Sequence, residues 1–260
     1  MSKQDIEKAS VEATMPQQAL GTTSAPAAPS PSRLGNPGAL GLFSFASTTL
    51  ILSLYNIHTR GITHPNVVVG MAIFCGGLAQ LLAGMWEFPR GNMLGGTAFV
   101  CYHSLSYSLL PFSAVKHQTC CGCGRVNSAF TSYGAFWMSY ATILIPGSGI
   151  GAAYAESPKS ELSSALGIYL VVWCLVTFFF TVVSLGKNIA FIALFGFLTV
   201  TFAALAGGEF NASLGATKAG GILGVITAFI AYYVGLSELL SAETHPVFRL
   251  PLGHLHVKRD

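Results

Sequence analysis

Six apolar runs, each close to the roughly 20 residues a helix needs to cross a bilayer, dominate this chain. They fall at about 40–56, 67–88, 128–145, 165–185, 189–207 and 218–240. Turn and charge signals separate them: His58-Thr59-Arg60-Gly61, Pro89-Arg90-Gly91-Asn92, Glu156-Ser157-Pro158-Lys159, Gly186-Lys187-Asn188 and Gly208-Glu209. Only 9% of the residues are charged, against about 25% in an ordinary soluble domain, so a water-soluble globule of this length could not cover itself with polar surface. The chain therefore reads as an all-α polytopic membrane protein with six transmembrane helices.

Residues 1–33 are rich in Ser, Ala, Pro, Gln and Thr and hold no apolar stretch, which reads as a disordered cytoplasmic tail. The membrane domain is expected over 34–241, and 242–260 form a second tail. Six spans put both ends on one side. Arg249, Lys258 and Arg259 in the tail and Lys187 in the fourth-to-fifth connection make that side cytoplasmic by the positive-inside rule, although Arg60 and Lys218 lie opposite. A net charge of +3, scattered along the chain, gives no footprint for nucleic acid.

Glycine spacing adds detail. Gly70, Gly77 and Gly84 recur every seven residues and should share one helix face, and Gly220 with Gly224 forms a small-xxx-small pair. Such stripes serve either packing within the protomer or an oligomer seam. Asn36-Pro37 places a capping residue before a proline at a helix start, whose free amides and partial positive charge suit a carboxylate but equally make an ordinary cap. Phe45, Thr48 and Thr49 share a face by three-and-four spacing, yet hydroxyls on apolar helices usually bond back to their own backbone.

Glu87 and Gln80 end the second span. An intramembrane ionisable group is costly and points to function, while the competing reading lets Glu87 reach the interface beside Trp86. No nucleophile elbow, phosphate loop or His-Glu-x-x-His occurs, so the chain is not read as an enzyme and no cofactor is expected. His117, Cys120, Cys121 and Cys123 contain one Cys-x-x-Cys, half of a zinc pattern, and no metal is expected.

Several motifs together resemble the acetate uptake transporters, which include fungal acetate permeases linked to ammonia export and bacterial succinate-acetate permeases. They are Asn36-Pro37-Gly38-Ala39-Leu40-Gly41-Leu42, Gly84-Met85-Trp86-Glu87-Phe88 with Gly91-Asn92, Thr131-Ser132-Tyr133-Gly134-Ala135-Phe136-Trp137, Phe197-Leu198-Thr199-Val200 and Leu250-Pro251-Leu252-Gly253. The family signature has Ala-Pro where this chain has Gly38-Ala39, which loosens the helix start without moving it.

The resemblance implies a six-helix protomer in a homo-oligomer, a hexamer, and the disordered head with the intron-like segment points to a eukaryotic plasma membrane. The resemblance also implies a substrate path narrowed at Phe45, Tyr133 and Leu198. Candidate substrate contacts are Asn36, Thr48, Gln80, Glu87, Asn92 and Trp137.

One departure is large: about thirty residues, 100–130, interrupt the third helix and carry four of the six cysteines. Removing them restores an uninterrupted family helix, so the segment reads as a translated intron or, failing that, a lineage-specific loop. The expected function is transport of acetate and similar monocarboxylates, as a channel or coupled to a proton, with no ATP motif to drive it. The alternatives are an acetate-sensing membrane protein and an ammonia or ammonium exporter.

Overall fold

The computed structural model describes residues 35–87 and 129–253, and every regular element among them is helical. Six long helices stand out: α1 Gly38–Asn56, α2 Val68–Glu87, α3 Ala129–Leu144, α4 Lys159–Ser184, α5 Ile189–Phe210 and α6 Leu214–Ala242. All but α3 are long and apolar enough to cross a membrane. The described part of α3 has 16 residues, about 24 Å at 1.5 Å per residue, and it begins where the described residues resume. Helix α6 packs along α1 and α5, α5 along α4, and α2 along α1 and α3.

The bundle hides hydroxyls and shows hydrocarbon. Thr48, Gln80, Glu87, Thr131, Thr177 and Thr227 are almost fully buried, whereas Phe74, Phe179, Phe229 and Ile168 are more than half exposed. That arrangement suits a hydrocarbon surrounding, in which outward polar groups would be the costly ones. Buried hydroxyls meet their need locally, since Thr48 donates to the Ser44 carbonyl, Thr177 to Trp173 and Thr227 to Leu223, each four residues back.

The start of α1 forms as the cap chemistry requires. Pro37 has helical dihedrals, and the Asn36 Oδ1 accepts the otherwise orphaned Gly38 amide at 3.0 Å. Helix α5 runs past the Gly208-Glu209 pair that the sequence marks as a turn, ending at Phe210. The reason is packing: a Cβ on Gly208 would lie 3.0 Å from the Thr217 amide, so the glycine serves close approach of α6.

The glycine stripe of α2 does not hold as one face. Residues Met71–Ala79 are a π-helix, whose i→i+5 turns rotate later residues out of a 3.6-residue register. Gly70 faces open space, while Gly76 and Gly77 are buried, and Cβ atoms there would meet Trp137 at 2.7 Å and Met138 at 2.6 Å. Gly220 and Gly224 seat α6 within the protomer, facing Leu205 of α5 and Ser53 of α1 respectively.

The described chain ends meet at one end of the bundle, here called proximal. Carbonyls of Gly253 and Leu252 accept the Ile189 and Ala190 amides at 2.9 and 3.2 Å, capping α5, and Tyr233 on α6 donates to the Pro251 carbonyl at 2.7 Å. Helices α1 and α5 both start proximally and run toward the opposite, distal end.

Candidate substrate path

Two helices running in the same direction supply matching faces. On α1, Leu42, Phe45, Thr49, Ser53 and Asn56 recur at three-and-four spacing; on α5, Leu194, Leu198, Phe202, Leu205 and Glu209 do the same. From Phe45 to Asn56 and from Leu198 to Glu209 is eleven residues, about 16 Å along each axis. These distal halves, with Trp137 and Tyr140 of α3 and Thr217 of α6, line a cavity of about 730 Å³ of empty space, its open mouth included. A second cavity of about 400 Å³, measured likewise, lies between Leu42 and Gln80 on one side and Tyr133, Leu194 and Phe195 on the other. Among the described residues, Phe45 alone lines both.

Around Phe45 the side chains form a dense apolar knot. Its ring lies 5.4 Å from that of Tyr133, which lies 6.3 Å from Phe195 and 5.8 Å from Phe180. Leu198 is 3% exposed and bounds the distal cavity at the same level. The Tyr133 hydroxyl donates to the Thr177 Oγ1 at 3.0 Å, so its hydrogen is already committed and what it has left to offer is the accepting capacity of its oxygen.

Polar atoms without partners flank this knot. The Thr49 hydroxyl and the Trp137 Nε1 are buried and unpartnered, and both residues line the distal cavity. On the proximal side both amide atoms of Gln80 are unpartnered, although the residue is 1% exposed. A buried polar group without a partner costs about 1–3 kcal/mol, so three such groups around two linked cavities are what a polar guest would satisfy.

The sequence candidates thus separate. Phe45, Tyr133, Leu198, Gln80 and Trp137 line the cavities; Thr48 lines neither, its hydroxyl folded back on Ser44 and packed against Gly76. Its neighbour Thr49 takes the lining position, and Glu209 lines the same cavity further out, at its distal mouth. Asn92 and the cluster of His117 with Cys120, Cys121 and Cys123 lie outside the described residues.

Asn36 and Glu87 belong to the proximal end instead. The Asn36 amide donates to the Glu238 carboxylate at 2.8 Å while its oxygen caps α1. Glu87 turns inward, 1% exposed beside half-exposed Trp86, and its carboxylate stands near Gly38 at the α1 N-terminus, where the helix field favours negative charge. Lys187, between α4 and α5, feels Glu238 and Glu87, but burial outweighs their attraction and pushes its amine down to about 8.

A lysine whose folded pKa is depressed leaves the unfolded chain holding more protons between that value and the usual 10.5. Stability therefore climbs as pH rises from about 8 toward 10.5 and is lost as pH falls through the lower value. Melting of detergent-solubilised protein should show this rise, and Lys187→Met should flatten it; an equal rise in both proteins would refute the assignment.

The sequence model of the GPR1/FUN34/yaaH family matches residues 20–119 and 121–256. The chain belongs to the GPR1/FUN34/yaaH family. Ammonia transport outward protein 2 of Saccharomyces cerevisiae, also similar, is 41% identical over 89% of this chain and 72% of its own length. Acetate permease A of Emericella nidulans is 32% identical, covering 85% and 67%. A solved structure of the bacterial acetate channel SatP superposes with a TM-score of 0.63 at 30% identity, over 85% of this chain and all of that one. In this GPR1/FUN34/yaaH chain the family match divides at 120, inside the 100–130 segment.

Proposed function

We propose that this chain moves acetate and similar small monocarboxylates across a membrane, along the two cavities that meet at Phe45. The relatives named as an acetate permease and an acetate channel support this reading, and the family is one of transporters rather than enzymes. The observation that carries it is the apolar knot with unpartnered polar atoms on either side. Hydrated ions lose too much on entering such a collar, whereas a neutral acid or a proton-paired carboxylate crosses with its polar end handed from Thr49 and Trp137 to Gln80. Phe45, Tyr133 and Leu198 act as the collar.

In this reading six spans put both termini on one side, which the basic residues of the tail make cytoplasmic, and Asn36, Glu87, Lys187 and Glu238 then lie at the inner mouth. The exposed apolar faces suit lipid and neighbouring copies in a homo-oligomer, a hexamer by family resemblance, in the plasma membrane. Residues 100–130 are extraneous to this transporter, a translated intron in our reading. A second reading, outward movement of ammonia, draws on the name of the yeast relative and on the same collar, which would pass a neutral amine.

The test is uptake of labelled acetate at acidic external pH in cells lacking their own acetate permease, comparing the chain with a version deleted for 100–130. Uptake by either supports acetate transport; uptake by the shortened chain alone also marks the segment as inactivating. Neither chain taking up acetate while present at the surface would defeat the proposal. Phe45→Ala should raise uptake of a bulkier acid such as benzoate several-fold relative to acetate, because a ring is removed from the narrowest level. An unchanged ratio would remove Phe45 from the collar.

A further inference from the structure

The distal cavity has a chemical order that the collar alone does not explain. Its deep end holds the Thr49 hydroxyl and the Trp137 N–H, both buried and both without partners. Its mouth, about two turns of helix outward, holds Glu209. No Lys, Arg or His among the described residues lines this cavity, and Glu209 is the one carboxyl that does. For a path that carries carboxylates this is a paradox, because an ionised glutamate repels an anion.

The groups facing Glu209 sharpen it. From α4 the Ser163 side chain hydrogen-bonds it; from α3 the Tyr140 phenol lies within its field, with Tyr169 beyond; α6 contributes Thr217 and α1 contributes Asn56. Lys218, next along α6, is exposed and outside the cavity. Nothing cationic among these neighbours neutralises the carboxyl, which leaves a bound proton as its means of becoming neutral.

We infer that Glu209 is the proton-exchange residue of the distal vestibule, handing its proton to the incoming carboxylate so that a neutral acid reaches the collar. This rests on the carboxylate-transport reading above. In the transfer, the O–H bond of the Glu209 carboxyl breaks and an O–H bond forms on the substrate carboxylate; Glu209 is left as the anion and takes its next proton from external water. Donor and acceptor are both carboxyls, so the exchange runs in either direction. The neutral acid then offers its carbonyl to the Trp137 N–H and Thr49 hydroxyl. An ammonium ion would suit Glu209 but would meet the Trp137 N–H, which can only donate, at the deep end.

The experiment compares the pH profile of labelled acetate uptake by the full chain, Glu209→Gln and Glu209→Asp. A variant without the carboxyl depends on acid already protonated in bulk, whose share falls roughly tenfold per pH unit above the acid's own pKa. Glu209→Gln should match the parent near external pH 4.5 and then lose about tenfold per unit, while the parent and Glu209→Asp lose no more than about threefold. A Glu209→Gln profile superimposable on that of a transporting parent overturns the inference and leaves acetate transport standing. No uptake by the parent at any pH overturns both. Should Glu209→Gln fail to reach the membrane, Glu209→Ser and Glu209→Ala also remove the carboxyl and are read against the same outcomes.

Discussion

Gln80→Leu should make this protein more stable and nearly stop its transport. The carboxamide of Gln80 is buried with neither its oxygen nor its nitrogen bonded, beside the ring of Phe45 and the proximal cavity. An isosteric apolar side chain removes that unmet polarity, which at about 1–3 kcal/mol should raise the midpoint of thermal unfolding. The same change leaves a crossing carboxyl group without its proximal partner. Losing one such bond in the path raises the barrier by a similar amount, and 1.4 kcal/mol is a factor of ten, so acetate uptake should fall at least about tenfold. A variant that is less stable than the parent, or one that transports at the parental rate, would show that Gln80 has a structural partner and no role in the path.

Gly134→Leu should prevent the bundle from assembling. A Cβ at residue 134 would lie 2.9 Å from the Leu81 amide nitrogen and 3.0 Å from the Gly77 carbonyl oxygen. Both are backbone atoms of α2 and cannot swing aside as a side chain could, so a leucine must drive α2 and α3 apart. Overpacking of this kind costs about 1–3 kcal/mol even where neighbours yield, and here the neighbours are helical backbone. Folded protein at the membrane should drop about tenfold or more, read by fluorescence-detected chromatography in detergent. Gly70→Leu is the control, since nothing lies within 4 Å of a Cβ there, and it should be tolerated. Equal yields from the two variants would mean that α2 and α3 do not approach as described.

The hydropathy and turn pattern was enough to place six helices and to mark the Asn36-Pro37 start, because both depend on local chemistry. The seven-residue spacing of Gly70, Gly77 and Gly84 misled, because it presumes one helical pitch and Met71–Ala79 has another. Spacing also placed Thr48 and Thr49 on one side of α1 without ranking them. Adjacent residues differ by about 100° around a helix, and which one meets a cavity depends on where α3 and α5 lie, which no local pattern encodes. Glu209 was read as turn punctuation because it follows two glycines; the close approach of Thr217 that keeps Gly208 helical is a long-range fact. The expected constriction at Phe45, Tyr133 and Leu198 comes from family resemblance, not from periodicity, and that Phe45 alone among the described residues is shared by both cavities emerges only in three dimensions.

The carbonyls of Leu252 and Gly253 that cap α5 make the last described turn of chain an architectural part of the bundle. The α5 amides they satisfy belong to the helix that carries both Leu198 and Glu209 along the distal cavity. Any event that pulls on the chain beyond Gly253, whether a bound protein, an attached label or a proteolytic cut, therefore acts on the same rigid rod that lines the distal cavity. The segment ending at Gly253 is in this sense a handle, mechanically joined to the distal cavity through one helix.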